Sequence, residues 1–553
     1  KDNKKIIDCH ISYLNKSLNF EGTDENLIKD TTDKLNQYRN IIVDFLDQIQ
    51  KDNNAEEFIN YYCSIRDKFK LIKDSLEMRE TKYVPKCNKP ELKISNTNMK
   101  GGGKELIDEN ILDIIRKYLT VKDKEKKLFG EVFTPVELVC EMLDKLPKDV
   151  WTNPNLKWLD PANGIGNFPI VVYYKLMESL KGIEKYKDDK KRSKHIIENM
   201  LFMVELNPVN TRVCKKIFGM IDKDAEPNIS NSNFLTEESK WKRSFGIDKF
   251  DVIMGNPPYN KSLHINFITE SLSILGNYLL FITPITWLSP TSASYKKIID
   301  LDILLINNSS YLKDKYFKSI ASTFSYFLIN NKKSNIKTKV IYEIDNKIND
   351  FKLNFKELIY PPKDFNPLSI SINKKMLKKN NNNNFIRNDK NDYNDKSNEY
   401  KYPHITFVKK DGSLDIKFRK EQDKHEKKPK LLLFRNGYIN PYFDNGKNGV
   451  GDNIHYKLLD NSKSGNLYEH FFKSNLISYI FKVNKYSQYN HGFLMNILNL
   501  DFLLNIENID LYKNNKKFNE QLYNYYGIEK EEKKLIDKVI QPQDQNQDEG
   551  AEK

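Results

Sequence analysis

Cysteine is scarce and no long apolar run occurs. The five cysteines, Cys9, Cys63, Cys87, Cys140 and Cys214, stand far apart, with no CxxC pair and no histidine at metal-ligand spacing. Neither a disulfide framework nor a zinc site is therefore expected, and no carboxylate cluster offers another metal site. No uninterrupted apolar stretch approaches the roughly 20 residues that a membrane helix needs. The opening residues, KDNKKIIDCH, lack the apolar centre of a signal peptide. A soluble intracellular protein is the expectation. A GxxxxGK[ST] loop is missing as well, so a nucleoside triphosphate cradle is not expected.

What is abundant is lysine. The formal net charge is +14 over 553 residues, which favours a polyanionic partner, although AT-rich coding would enrich Lys and Asn in the same way. The length predicts two or three domains. In residues 1–100, Tyr38, Ile41, Ile42, Phe45 and Ile49 recur at helical spacing, as do Phe58, Tyr61, Ile65, Phe69, Ile72 and Leu76. These stripes predict a helical N-terminal region, a support or a docking module for a protein partner. Gly101 to Gly103 read as a joint, and 101–128 as a linker with a lead-in helix.

From Phe129 the texture changes. LKWLD (156–160), LFMVE (201–205), FDVIM (250–254) and YLLFITP (278–284) read as buried parallel strands. FPIVVYYKLMESL and PVNTRVCKKIFGMI between them read as crossover helices, and TFSYFLINN and TKVIYEI complete the sheet near Asp345. This alternation predicts an α/β, Rossmann-like catalytic domain over 129–345. Residues 346–535 follow as a mixed α+β region, with an Asn-rich insert at 378–400 expected to be disordered, and 536–553 as a tail.

Two strand ends carry chemistry. DPANGIGNF (160–168) places Gly164 and Gly166 where the backbone can approach a ligand closely. The next strand ends on Glu205 in VELNP, from which a carboxylate can accept both ribose hydroxyls. With no third glycine, the expected ligand is a nucleoside without a pyrophosphate. The strand DVIMG runs into Asn256-Pro257-Pro258-Tyr259. There a side-chain amide oxygen and a carbonyl fixed by prolines can accept from an amine, beside an aromatic face on which a base can stack.

In this order, DPANGIGNF, VELNP, SNFL and GNPPY, preceded by FGEVFTPVELV (129–139), resemble the S-adenosylmethionine-dependent DNA adenine-N6 methyltransferases, class I enzymes. Cofactor motifs before NPPY and a long C-terminal region match the gamma arrangement seen in type II and IIG restriction-modification methyltransferases. The resemblance implies S-adenosylmethionine as cofactor and double-stranded DNA as partner. It implies that Thr134, Asp160 and Gly164 hold the methionine end, Glu205 the ribose, and Asn233 with Phe234 the adenine. Asn256, Pro257, Pro258 and Tyr259 would be catalytic, with no metal, and 346–535 would be the target-recognition region. Phe317 or Phe324 would supply a second stacking ring. Asn233 stands where the family often has Asp.

Other readings fit parts of the pattern. NPPY also serves cytosine N4, RNA or a protein glutamine amide, and a non-catalytic DNA-binding subunit could keep the fold. Cytosine-C5 chemistry is disfavoured, since no Pro-Cys pair occurs. The PELK of 90–93 lacks an upstream PD partner for a nuclease. Arg435, Tyr438 and Tyr442 interleave charge with aromatics, whereas His264, His404 and His455 read as structural.

Overall fold

The computed structural model describes residues 134–317, 323–334, 336–388, 392–409, 412–435, 440–486, 492–505 and 515–540. The expected N-terminal helices, the Gly101–Gly103 joint, PELK, Tyr438 and the end of the tail lie outside them. The described residues belong to one compact unit.

Strands alternate with helices from Trp158 onward because short β-branched and aromatic runs are punctuated by turn residues. Nine strands form one sheet: β1 (Trp158–Asp160), β2 (Leu201–Glu205), β3 (Asn228–Asn231), β4 (Phe250–Gly255), β5 (Leu275–Pro284), β6 (Asp302–Asn307), β7 (Phe324–Asn330), β8 (Thr338–Ile344) and β9 (Lys347–Leu353). Their order is β3-β2-β1-β4-β5-β7-β6-β8-β9. β1 to β5 pair in parallel, and β7 runs antiparallel between β5 and β6. The parallel part is buried on both faces, so its strands read as continuous apolar runs. β6 went unrecognised in the sequence, where its apolar residues follow a helix with no clear break.

The helices are fixed by their ends. Gly166, left-handed at φ 101°, opens the helix Asn167–Leu180, which buries Phe168, Ile170, Val171, Val172, Leu176 and Leu180 against the sheet. Each such fully buried side chain contributes about 1.5–3 kcal/mol. A Cβ at position 166 would come within 2.7 Å of Cys214 Sγ, so Gly166→Ala would break this junction. Asn207 caps the helix Pro208–Ile221, its side chain accepting from Val209 N, with Pro208 in the first turn.

Beyond β9 the chain builds a four-stranded sheet, β10-β16-β13-β14, and a three-stranded one, β12-β11-β15. The strands are β10 (Ile386–Arg387), β11 (Tyr402–Val408), β12 (Leu414–Arg419), β13 (Pro429–Phe434), β14 (Tyr442–Asn445), β15 (Gly449–Val450) and β16 (Ile454–Leu458), followed by helices to Ile540. One apolar core is continuous from Leu159 to Ile536.

Two expectations need correction. The Asn-rich stretch at 378–400 is held at its start: Asn383, buried, donates to the carbonyls of Met495 and Leu498 at 2.8 and 3.0 Å, and Ile386–Arg387 pair with β16. Asparagine amides supply there the hydrogen bonds that apolar contacts do not. The tail cannot begin at 536, because the helix Lys530–Ile540 buries Leu535 and Ile536.

Candidate active site

β1, β2 and β4 end side by side, and the loops leaving them enclose a cavity of about 520 Å³. The ten residues to which the resemblance gives cofactor or catalytic roles line it: Thr134, Asp160, Gly164, Glu205, Asn233, Phe234, Asn256, Pro257, Pro258 and Tyr259. Asn167 and Phe267, which sequence reasoning missed, line it too.

The glycine loop is tied to the neighbouring strand. Gly164 N donates to Glu205 Oε2 at 2.8 Å, and Asn207 N to Oε1 at 2.7 Å. The Glu205 carboxylate is thus oriented by two main-chain donors, and Asn210 Nδ2 also donates to Oε1 at 3.4 Å. Asp160 is buried and accepts from Ala162 N at 3.1 Å. Burial, with Glu205 nearby, pushes its carboxyl well above the usual range, against the pull of the Ala162 amide. Gly255, φ 147°, is required beside it, since a Cβ there would lie 2.7 Å from Asp160 Oδ1. Two acids gathered in a cavity suit a ligand that brings positive charge.

Among the described residues, the buried Thr134 Oγ1 and Asn167 Oδ1 beside the cavity find no protein partner. They are anchored to each other's segments, because Asn167 Nδ2 donates to Thr134 O at 2.8 Å. An orphaned hydroxyl and an orphaned amide oxygen are a donor and an acceptor held ready for a zwitterionic group such as an amino-acid end. The residues present therefore fit S-adenosylmethionine, with carboxylates for its ammonium and ribose and an aromatic wall for its adenine.

That wall is Phe234, stacked with Trp241 and Phe267 at centroid distances of 5.4 and 5.3 Å. Trp241 Nε1 donates to Phe234 O at 3.2 Å. Asn233 lines the cavity beside this wall. Its Oδ1 accepts from Leu235 N and Thr236 N at 3.0 and 3.3 Å, so both lone pairs are engaged in its own turn.

At the other end, Asn256 Oδ1 accepts from the Tyr259 hydroxyl. Burial pushes the Tyr259 phenol up, so it stays protonated. Its ring meets Phe324 edge-on at 5.2 Å and His264 at 6.1 Å. Phe317 and Phe324 stack on each other at 4.4 Å, are buried and lie outside the cavity lining. They back Tyr259 and present no face to a base, which corrects the expectation of a second stacking ring from either. His264 Nε2 lies 2.6 Å from Thr286 Oγ1, and burial pushes its pKa down to about 4, so the ring is neutral. Among the described residues no group of acids, cysteines and histidines could hold a metal, and no helix is long and apolar enough to cross a membrane.

A family model described as N-6 DNA Methylase matches residues 112–273, a span that holds the cavity. This span resembles the N-6 DNA methylases. The chain is similar to an uncharacterized adenine-specific methylase of Mycoplasma pneumoniae, 27% identical over 316 residues that span 42% of this chain and 74% of that protein. It is also similar to the type II methyltransferase M.VspI of Vibrio sp., 31% identical over 159 residues, 29% of this chain and 32% of that one. Among solved structures, the type IIL restriction-modification enzyme MmeI in complex with DNA aligns at a TM-score of 0.42, with 13% identity over 76% of each chain.

Proposed function

We propose that the protein transfers a methyl group from S-adenosylmethionine to the N6 amine of an adenine flipped out of a specific DNA sequence. The observation that carries this reading is that the methylase-like domain opens both strand-end motifs, Glu205 with the glycine loop and Asn256 with Pro257, onto one cavity. S-adenosylmethionine supplies an electrophilic methyl on a sulfonium when bound.

The chain's own residues do the rest. Thr134 and Asn167 offer a hydroxyl and an amide oxygen to the amino-acid end, beside Asp160. Glu205 orients the ribose, and Phe234 with Phe267 walls the adenine. An adenine N6 is a poor nucleophile because its lone pair is delocalised into the ring. Asn256 Oδ1 and the Pro257 carbonyl accept its two hydrogens and favour a pyramidal nitrogen, each acceptor lowering the barrier by about 3–4 kcal/mol by analogy with oxyanion-hole donors. The Tyr259 hydroxyl occupies Asn256 Oδ1 in this structure. Base entry brings the amine up to this amide oxygen, with the Tyr259 ring beside it as a stacking surface. Alignment within one cavity supplies the remaining advantage.

Reading of sequence is assigned in this proposal to residues 346–535. Supporting it are Phe407 and Ile416, exposed apolar residues of β11 and β12, on a hairpin that also carries Lys409 and Lys417. The test is transfer of labelled methyl to duplex DNA followed by nucleoside digestion. N6-methyladenine is expected, and Asn256→Ala is expected to lower the rate about 10²–10³-fold with S-adenosylmethionine affinity retained. An Asn256→Ala protein as active as the wild type would sink the mechanism.

A further inference from the structure

The helix Val136–Leu143 begins two residues after Thr134, at the cofactor end of the cavity. Thr134 O accepts from Asn167 Nδ2 at 2.8 Å, and the first helical turn is closed by Leu138 N and Val139 N, both donating to Pro135 O at 3.0 Å. The helix buries Leu138, Val139, Met142 and Leu143. Apolar burial is non-directional, so the direction has to come from a polar contact.

Glu141, half-buried on the same helix, makes one. Its Oε1 accepts from the Tyr326 hydroxyl at 2.9 Å and also from the Tyr311 hydroxyl. Burial, then the Glu141 carboxylate, pushes both phenols up, so both stay protonated and donate. Phenol-to-carboxylate hydrogen bonds are roughly twice as strong as those between neutral groups. Both donors stand on fixed supports. Tyr326 is fully buried in β7, paired with Ile282 of β5 and Asn307 of β6. Tyr311 follows β6, and its main-chain N donates to Glu343 Oε2 of β8 at 2.8 Å, as does Ser310 Oγ. The sheet is therefore the fixed partner, and the helix is the element it places.

The same strand serves the base end of the cavity. Phe324 and Tyr326 are two residues apart in β7 and share a face, and Phe324 meets the Tyr259 ring edge-on at 5.2 Å. A continuous connection thus runs from Thr134 through its helix to Glu141, Tyr326, Phe324 and Tyr259. Glu141 itself lies outside the cavity lining, so it acts on a ligand only through what it holds.

We infer that Glu141 is a positioning residue: through Tyr311 and Tyr326 it fixes the helix that presents Thr134 to the amino-acid end of the cofactor onto the strand that backs Tyr259. This deepens the methylase reading and rests on it for the identity of the cofactor.

The test is calorimetry of the full chain with S-adenosylmethionine and with adenosine, which lacks the amino-acid end. E141L should weaken S-adenosylmethionine about five- to tenfold, the factor of one hydrogen bond, with adenosine bound as by the wild type. Y326F, which removes one of the two donors, should weaken it about two- to threefold. E141Q, whose amide oxygen still accepts from both phenols, should stay within about twofold of the wild type. Adding Y326F to E141L should cost nothing further, because the two changes break one contact. Hydrogen exchange should speed up at the Leu138 and Val139 amides in E141L, while the helix Asn167–Leu180 keeps its wild-type rates. Should E141L fail to fold, Y326F against E141Q carries the test. Equal losses for S-adenosylmethionine and adenosine, or E141Q as weak as E141L, would overturn the positioning role while leaving the methylase reading intact. Conversely, faster exchange in the E141L helix of a protein whose wild type binds no S-adenosylmethionine would uphold the tie and refute that reading.

Discussion

Around the cavity, Thr134 Oγ1 and Asn167 Oδ1 are buried with no protein partner among the described residues. Between β13 and β14, by contrast, the fully buried ammonium of Lys430 meets Asp444 at 2.8 Å and the carbonyls of His425, Glu426 and Lys428 at 3.0–3.1 Å. Asp444 in turn accepts from Lys447 N, Asn448 N and Asn448 Nδ2. An orphaned buried group costs about 1–3 kcal/mol. Where space adjoins it, a ligand can offset that cost. His404 Nε2 is orphaned as well, but a Cβ on Gly449 would come within 2.4 Å of it, so no ligand fits there. Unpaired atoms beside a cavity mark a binding site, and saturated buried charges mark a structural one.

The largest expected effect lies on the saturated side. Lys430→Met leaves Asp444 buried without its cation and should cost about 3–5 kcal/mol of stability, read from the urea midpoint. The folded fraction should still bind S-adenosylmethionine at wild-type affinity. A loss below about 1 kcal/mol would mean that the pair is not structural, since exposed pairs contribute no more than that.

The second effect is acid sensitivity beside Tyr259. The His264 pKa falls from 6.5 to about 4 on folding, through burial, so the unfolded chain takes up the proton first. Stability is full above about pH 6.5 and is lost as the pH falls toward 4, by about 2 kcal/mol at pH 5. Melting temperatures measured from pH 8 to pH 5 should drop in the wild type more steeply than in His264→Gln. Parallel curves would remove His264 as the cause.

Much of this was legible in sequence because it is local. Glu205 and Asn256 end apolar runs, and a strand end is where an open α/β sheet binds its ligands. What stayed hidden depends on partners distant in sequence. The stacking of Phe317 on Phe324 beneath Tyr259, the meeting of Tyr311 and Tyr326 on Glu141 and the Lys430–Asp444 pair follow from register. Lys261 and Ser262 adopt left-handed backbone at φ 50° and 63°, with neither glycine nor asparagine to signal it. Asparagines at 381 and 383 read as low complexity, yet they satisfy main-chain carbonyls.

Thr134→Val tests the unpaired side directly. The change is close in shape and deletes a hydroxyl that makes no hydrogen bond among the described residues, so the cofactor-free protein should keep its stability or gain up to about 1 kcal/mol. S-adenosylmethionine affinity should weaken by about 1 kcal/mol, five- to tenfold, by calorimetry. Opposite signs in the two measurements separate a ligand contact from a packing role. A stability loss with unchanged affinity would reverse the assignment of this wall.

The smallest effect concerns Asn233, whose Oδ1 is spent on Leu235 N and Thr236 N. An amide can turn only a donor toward the cavity, whereas a carboxylate would keep one oxygen on those two main-chain donors and present the other to an adenine amine. Asn233→Asp should therefore tighten S-adenosylmethionine by about 0.5–1.5 kcal/mol, two- to tenfold. Sinefungin, which has the same adenosine end, should gain by the same factor, whereas methionine alone should gain nothing. If methionine gains equally, the added charge acts through the field of the whole cavity, and Asn233 does not touch the adenine.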